Sequence, residues 1–208
     1  MGLGNIILIN GTSSAGKSTI AKALQDILEP QFYLTGIDHF LRSFHKRLIV
    51  ISSEENAPSS ETWLAIFENE KFKRLEIGPR GYQLLEGMYR SIASLAESGI
   101  HSIVDDVIWD QRVFEIAVNT LPAENVFFVG IQCPIEVAEQ REIDRGDRAL
   151  GGARFFGERI HAHGKYDLEV DSVINTPEES AQQIRLGFEN RSMPTVFQQL
   201  KDPTKKDK

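Results

Sequence analysis

The 208-residue chain, with a hydrophobic fraction of 41% and a charged fraction of 25%, fits one ordinary globular domain and is too short for two. Its formal net charge of −7 opposes nonspecific binding to nucleic acids or anionic membranes, and its single cysteine, Cys133, excludes an internal disulfide. No segment has the length and apolar character of a membrane span, so we expect a cytoplasmic protein that binds neither nucleic acid nor membrane, with no prediction of oligomeric state.

Apolar segments bounded by turn-forming residues predict five strands. In chain order they are Ile6–Ile9, Phe32–Leu34, Ser102–Val104, Val126–Ile131 and a weaker one at Leu168–Val173. Segments with helical spacing lie between them, at Thr19–Leu28, Tyr82–Ala96, Val113–Asn119 and Ile135–Arg145. Strands that alternate with helices predict an α/β fold, a three-layer sandwich around a doubly wound, mainly parallel five-stranded sheet.

Three segments fall outside this alternation. The sequence from Thr176 to Glu179 places a cap residue, a proline and a capping-box glutamate, so it predicts a helix from Pro177 to Asn190. The polar, turn-rich segment Ile49–Trp63 predicts an insertion or mobile loop beside the site. The charged end of the chain predicts a flexible tail over residues 193–208, after a single domain of residues 1–192.

Residues 11–18, with the sequence GTSSAGKS, match the P-loop pattern G-x-x-x-x-G-K-[ST] between a predicted strand and a predicted helix. Gly11 and Gly16 permit backbone angles that turn successive amides inward to form an anion nest. Lys17 is expected to bridge the β- and γ-phosphates of ATP, and the Ser18 hydroxyl to bind Mg²⁺. The predicted nucleotide-binding residues here are Gly11, Thr12, Ser13, Ser14, Ala15, Gly16, Lys17, Ser18 and Thr19. The alternative is a glycine-rich turn with a solvated lysine.

Two adjacent acids, Asp105 and Asp106, end the apolar strand in the sequence SIVDDV. A carboxylate at this position is suited to hold Mg²⁺ beside Ser18. We assign the metal to Asp105, because it directly follows the apolar residues, and assign Asp106 to the substrate side. The alternative is that one or both acids cap a following turn.

A third acid, Asp38, follows the second predicted strand in the sequence YLTGIDHF. Ligands bind at this carboxyl edge of open α/β sheets, where an acid can accept a hydroxyl proton or orient the hydroxyl for attack on a γ-phosphate. We therefore predict Asp38 as a catalytic and substrate-binding residue. The alternative is an N-cap for the helix that begins at His39.

Three arginines, Arg141, Arg145 and Arg148, surround the end of the helix after the fourth predicted strand. They precede a stretch of small residues, which is typical of a lid that closes over a nucleotide and neutralises developing charge. We predict a lid region over residues 145–163, with Arg141 and Arg145 binding the nucleotide and Arg145 and Arg148 catalytic together with Lys17. The alternative is a solvated helix end whose arginines pair with Glu142 or Asp144.

Six blocks of the sequence are similar to the chloramphenicol phosphotransferase family, a branch of the small P-loop kinases. They run in order from residue 6 to residue 171, and they are IILINGTSSAGKS, GID, VDDV, VGIQC, REIDRGDRALGGA and HGKYDLEVD. The resemblance implies a fold like that of nucleoside and shikimate kinases, ATP and Mg²⁺ as cofactors, and transfer of the γ-phosphate to a hydroxyl. In the family's named member that hydroxyl belongs to the antibiotic.

The resemblance also implies roles for particular residues. Asp38 corresponds to the family's acceptor-binding acid, and the nucleotide and lid residues correspond to Lys17, Ser18, Arg141, Arg145 and Arg148. In the related shikimate-kinase pattern the second strand ends in Asp-x-Asp, and the first acid helps to hold Mg²⁺. Gly36 stands at that place here, which moves metal binding toward Asp105 or Asp106.

Residues 39–81 show the least similarity, and in this family that segment covers the acceptor. We therefore predict a phosphotransferase whose acceptor is a small-molecule hydroxyl, an antibiotic among the candidates, and leave the acceptor unidentified. The alternative function is a nucleotide-binding switch that hydrolyses slowly and acts through partners.

Overall fold

The computed structural model describes residues 2–43, 49–52, 64–69, 72–146, 150–202 and 204. The first half of the chain forms β1 (Ile6–Asn10), α1 (Lys17–Ile27), β2 (Tyr33–Gly36), α2 (Ile37–Arg42), β3 (Ile49–Ser52), β4 (Leu64–Asn69), β5 (Phe72–Ile77) and α3 (Pro79–Glu97). The second half forms β6 (Ser102–Asp106), α4 (Gln111–Thr120), a 3₁₀ turn (Ala123–Asn125), β7 (Val126–Gln132), α5 (Ile135–Arg145), α6 (Gly152–Gly157), β8 (Leu168–Asp171), α7 (Pro177–Glu189) and α8 (Val196–Lys201). No helix in the described ranges is long and apolar enough to cross a membrane.

Five strands form a parallel sheet in the order β2-β6-β1-β7-β8. In its register, Asp105 of β6 lies opposite Ile9 of β1 on one side and Gly36 of β2 on the other. The carboxyl ends of these three strands therefore meet at one edge, where the segments after them can form a common site. The predicted five-stranded parallel sheet is confirmed.

The core lies on both faces of this sheet. In β1, Ile6 and Leu8 face the helices α3, α4 and α8, whereas Ile7 and Ile9 face α1 and α7. All five residues of β1 are buried, as expected for a central parallel strand that helices cover on both sides. The predicted three-layer sandwich is confirmed.

Most predicted boundaries agree with the structure to within a few residues. Helix α5 spans Ile135–Arg145, as predicted, and Thr176 caps α7 in a complete capping box with Glu179. Strand β8 ends at Asp171, two residues earlier than predicted. The Asp171 carboxylate accepts the backbone amides of residues 173 and 174, which turns the chain out of the sheet.

A second sheet of three strands, in the order β3-β4-β5, lies in the segment that separates α2 from α3. Strand β3 pairs with β4 in parallel, and β4 pairs with β5 in antiparallel orientation. Of the two predictions for Ile49–Trp63, an insertion or a mobile loop, the mobile loop is wrong for residues 49–52, which form a strand, and residues 53–63 lie outside the described residues. The parallel pairing of β3 depends on a partner more than ten residues away, so it left no local signal.

The predicted flexible tail over residues 193–208 is wrong for its first part. Residues 196–201 form α8, whose capping box joins Thr195 and Gln198. Phe197 is fully buried against Phe114 and Phe128, so the helix belongs to the core. Residues 203 and 205–208 lie outside the described residues.

Candidate active site

The P-loop joins β1 to α1 with two residues in the left-handed region. Ser14 has a φ of 61° and Gly16 has a φ of 91°, and Gly16 is the N-cap of α1. Backbone of this kind turns the amides of the loop toward one point at the positive end of the helix dipole. The loop therefore has the form of an anion-binding nest.

Three predicted site residues meet beside this loop. The Lys17 ammonium donates a hydrogen bond to the Thr12 carbonyl oxygen at 3.0 Å and lies 3.9 Å from Asp105 Oδ1. The Ser18 hydroxyl donates to Asp105 Oδ2 at 2.5 Å. Lys17 is 7% exposed, so its charge acts where little water screens it. Ser18 and Asp105 present oxygen ligands of the kind that Mg²⁺ prefers.

Asp106 points away from this cluster, because successive residues of a strand face opposite sides of the sheet. Its carboxylate is fully buried and accepts hydrogen bonds from the Tyr89 hydroxyl at 2.6 Å and the Val107 amide at 2.7 Å. Burial raises the pKa of Asp106 to about 6. The assignment of Asp106 to the substrate is therefore wrong, since its carboxylate does not reach the cleft.

Replacing Asp106 by asparagine is expected to change how stability depends on pH. The carboxyl has a pKa of about 6 in the folded protein against an ordinary 3.8, so the folded state binds more protons between these values, and stability falls as pH rises through them. A difference of about two pKa units corresponds to about 3 kcal/mol at neutral pH. Urea unfolding of Asp106→Asn from pH 4 to pH 8 should show a smaller fall than the wild type. A fall of the same size in Asp106→Asn and in the exposed control Asp26→Asn would contradict this expectation.

Gly36 ends β2 where the backbone of β6 passes very close. A Cβ atom at Gly36 would lie 2.0 Å from the Asp105 carbonyl oxygen, closer than any contact that real side chains make. The first acid of the Asp-x-Asp pattern therefore has no room here. The strand register that places the Asp105 carboxylate beside Ser18 also leaves no space for a side chain at residue 36.

The mutation Gly36→Ala is expected to lower the free energy of unfolding by about 1–3 kcal/mol, the usual cost of overpacking, because the clashing atom is backbone and cannot rotate away. Urea titration measures this loss. Gly87→Ala on α3 is the matched control, because nothing lies within 4 Å of its added methyl group, and it is expected to be neutral or stabilising. Equal stability of the two variants would show that the strands separate more easily than the structure indicates.

Asp38 lies in the first turn of α2 and is 55% exposed. Gly36 is the N-cap of this helix and Asp38 makes no capping bond, so the alternative of an N-cap role is wrong. Its carboxylate lies 4.0 Å from the Arg42 guanidinium and lines the same cleft as Ser18 and Asp105. The structure therefore brings the three predicted polar residues to one cleft.

Arg141 and Arg145, two of the three arginines predicted to act on the nucleotide or in the lid, lie in different places. Arg141 donates to the Ser172 carbonyl oxygen at 2.9 Å and lines a separate pocket with Gly16 and Thr19, between α1 and the loop before α7. Arg145, at the end of α5, lines the cleft that contains Asp38. Arg148 lies outside the described residues.

Glu142 does not lie on a solvated face, as the alternative to the lid supposed. Its carboxylate is 2% exposed and accepts backbone amides from the start of α6.

Apolar side chains form the other part of the cleft, and the sequence analysis did not identify them. They are Ile37, Leu41, Leu75, Ile77, Leu84, Leu85, Val107, Trp109 and Phe156. They come from five separate segments of the chain, so no motif or spacing connects them. The cleft therefore has a polar part at the P-loop and an extended apolar part beyond it.

The block HGKYDLEVD contacts the end of β1, where the P-loop begins, and does not line the cleft. The hydroxyl of Tyr166 accepts a hydrogen bond from the side-chain amide of Asn10, the last residue of β1, at 3.0 Å. A Cβ atom at Gly130 of β7 would lie 2.6 Å from the Tyr166 ring, so glycine there makes room for it. The Asp167 carboxylate accepts the amides of Phe128 and Val196, which joins β7 to α8.

Comparison with known proteins identifies the family. The sequence profile described as chloramphenicol phosphotransferase-like protein matches residues 4–189. The chain belongs to the chloramphenicol phosphotransferase-like family. A Mycobacterium tuberculosis protein with the provisional name of O-phosphotransferase is 29% identical over 200 residues. The match covers 95% of this chain and 88% of that protein. Membership of the chloramphenicol phosphotransferase-like family supports a phosphotransferase activity.

Kinases are among the solved structures with this fold. A sugar kinase from Janibacter sp. HTCC2649 superposes with a TM-score of 0.62 at 14% identity, covering 89% of this chain and 95% of that one. The Mycobacterium tuberculosis APS kinase in complex with AMPPNP and APS gives a TM-score of 0.60 at 15% identity, covering 91% and 100%. At these identities the likeness establishes the fold of this family member and nothing further.

Proposed function

We propose that this member of the family is an ATP- and Mg²⁺-dependent O-kinase that phosphorylates a hydroxyl of a small molecule with a largely apolar body. The observation that carries the proposal is the shape of the cleft. Lys17, Ser18, Asp105 and Asp38 meet at its polar part, and apolar side chains line the rest. A donor site and a pocket for an acceptor are therefore continuous.

The donor half follows from the P-loop. The inward-turned amides receive the phosphates, and the Lys17 ammonium exchanges its bond with the Thr12 carbonyl for bonds to the β- and γ-phosphates. Ser18 and Asp105 would hold Mg²⁺, which when bound supplies positive charge beside the same phosphates. The pocket beside Arg141 lies between α1 and the loop before α7 and adjoins the cleft at Gly16 and Thr19, in a position suited to the base.

The acceptor half depends on Asp38. Its exposed carboxylate accepts a hydrogen bond from the acceptor hydroxyl and aligns that oxygen with the γ-phosphorus. The oxygen–phosphorus bond forms as the bond to the bridging oxygen of ADP breaks, and the hydroxyl proton passes to Asp38. Arg145 lies across the same cleft and neutralises the charge of the transferred group.

A screen for ADP release over hydroxylated antibiotics and metabolites, chloramphenicol among them, tests the proposal. Lys17→Ala is the blank, and mass spectrometry identifies the phosphorylated product. The expected result is ADP release above the blank, dependent on Mg²⁺, for alcohols with apolar bodies and not for sugars of similar size. If no compound exceeds the blank, the proposal fails and the alternative of a slow nucleotide switch replaces it.

A further inference from the structure

Glu142 is a buried carboxylate between α5 and α6. It lies on the buried face of α5. One carboxylate oxygen accepts the Gly151 amide at 2.8 Å and the other accepts the Ala153 amide at 3.1 Å. These amides belong to the first turn of α6, where a helix has no partners of its own for its N–H groups. A buried charge with two amide donors fixes both the rotation of the short helix about its axis and its position along that axis.

Helix α6 contacts both halves of the site. The Thr12 hydroxyl, in the P-loop, donates to the Ala153 carbonyl oxygen at 2.8 Å, and the Thr12 carbonyl accepts the Lys17 ammonium. On the opposite side, Phe156 lines the apolar part of the cleft and its ring lies 4.8 Å from the ring of Trp109. The helix is therefore the structural link between the nucleotide loop and the acceptor wall.

The position of α6 leaves little room for adjustment. A methyl group on Gly152 would lie 3.1 Å from Glu142 Oε1, and one on Gly157 would lie 2.9 Å from the Ile135 side chain. The helix thus packs directly on α5 at both of its ends. A shift of α6 would move Phe156 in the cleft and Ala153 at the P-loop together.

We propose that Glu142 is a positioning residue for phosphoryl transfer, which holds α6 so that Phe156 and Trp109 wall the acceptor cleft while Ala153 stays bonded to Thr12. The effect on phosphoryl transfer rests on the proposed kinase function, whereas the role of Glu142 in holding α6 rests on the contacts alone. A displacement of about 1 Å in a group that positions a substrate can cost a hundredfold in rate. An opened wall would also admit water to the γ-phosphate.

The first test replaces Glu142 by glutamine and measures amide hydrogen exchange. The glutamine oxygen can accept one of the two amides, so exchange at Gly151 or Ala153 should become at least tenfold faster while exchange in β1 and β7 stays unchanged. Glu139→Gln is the matched control, because it removes a carboxylate from the same helix and breaks an ion pair to Arg154 of α6. That pair is partly exposed to solvent, so a smaller change is expected than in Glu142→Gln. Unchanged exchange in Glu142→Gln would overturn the proposal.

The second test measures how ATP is used. In Glu142→Gln the kcat for the alcohol found in the ADP-release screen should fall ten- to a hundredfold, the dissociation constant of AMPPNP should change less than twofold, and the fraction of ATP lost to water should rise. If the screen yields no alcohol, the rate of ATP hydrolysis alone is measured and should rise. Equal changes in Glu142→Gln and Glu139→Gln would contradict the proposal.

A second variant keeps the proposal testable if Glu142→Gln fails to fold. Gly152→Ala retains the carboxylate and favours helix, but places a methyl group 3.1 Å from it. It should change exchange and ATP use in the same direction as Glu142→Gln. Unchanged exchange and ATP use would overturn the proposal. A wild type with no transfer activity but fast exchange in Glu142→Gln would refute the kinase function and leave the contact between Glu142 and α6 standing.

Discussion

Replacing Lys17 by alanine is expected to reduce ATP turnover by about 10²- to 10³-fold, the range found when a preorganised donor to a developing charge is removed. The ammonium lies 7% exposed between the Thr12 carbonyl and Asp105, so its field acts on the phosphates with little screening. Alanine removes the charge and leaves Asp105 facing the phosphates. Steady-state ADP release measures the loss.

The control for Lys17→Ala is Lys22→Ala, one turn further along the same helix. Lys22 is exposed, and its substitution removes the same charge from α1 without removing a contact of the P-loop. Its turnover should stay close to that of the wild type. If both variants lost activity equally, the effect would come from the net charge of the helix and the role of Lys17 would be wrong.

Replacing Asp38 by asparagine is expected to reduce transfer to the acceptor by about 10²- to 10⁴-fold, as loss of a general base does. Nucleotide binding should stay unchanged, because Asp38 lies on α2, outside the P-loop, and its carboxylate faces Arg42 of the same helix. The side chain is 55% exposed, so the stability of the protein should also stay unchanged. Product formation and AMPPNP affinity, measured on the same preparation, separate the two effects.

The control for Asp38→Asn is Arg42→Gln, which removes the other member of the 4.0 Å pair. An exposed pair four residues apart in a helix contributes little, so this variant should keep most of its transfer activity. Full transfer by Asp38→Asn to an identified acceptor would contradict the assigned role. Loss of AMPPNP binding in that variant would place Asp38 in the donor half instead.

The donor half of the site could be predicted because it lies in one short segment. A buried strand, two glycines, a lysine and a serine specify the loop, and β1, the P-loop and α1 lie where the pattern placed them. The side of the sheet on which each acid lies was harder to predict from the sequence. Adjacent residues of a strand face opposite ways, so Asp105 reaches the cleft and Asp106 is buried with Tyr89.

The apolar part of the cleft could not be predicted, since it is assembled from distant segments. Leu75 of β5, Trp109 after β6 and Phe156 of α6 meet in one wall, although each is an ordinary apolar residue in its own segment. The burial of the charged residue Glu142 could not be predicted for the same reason. A glutamate in a helix rich in charged residues predicts a solvated face, and its burial follows from where α6 lies.

The sequence by itself determined the five-stranded parallel sheet, the P-loop and the phosphotransferase family, because strand and helix periodicity and the glycine, lysine and serine of the loop act through neighbouring residues. The tertiary structure decided which acid faces the cleft, that residues 196–201 pack as α8, that a second sheet flanks the site, and that apolar side chains line the cleft beyond the P-loop. These features depend on contacts between residues far apart in the chain. Side-chain pattern within one segment carries no information about such contacts until the packing of the segments is known.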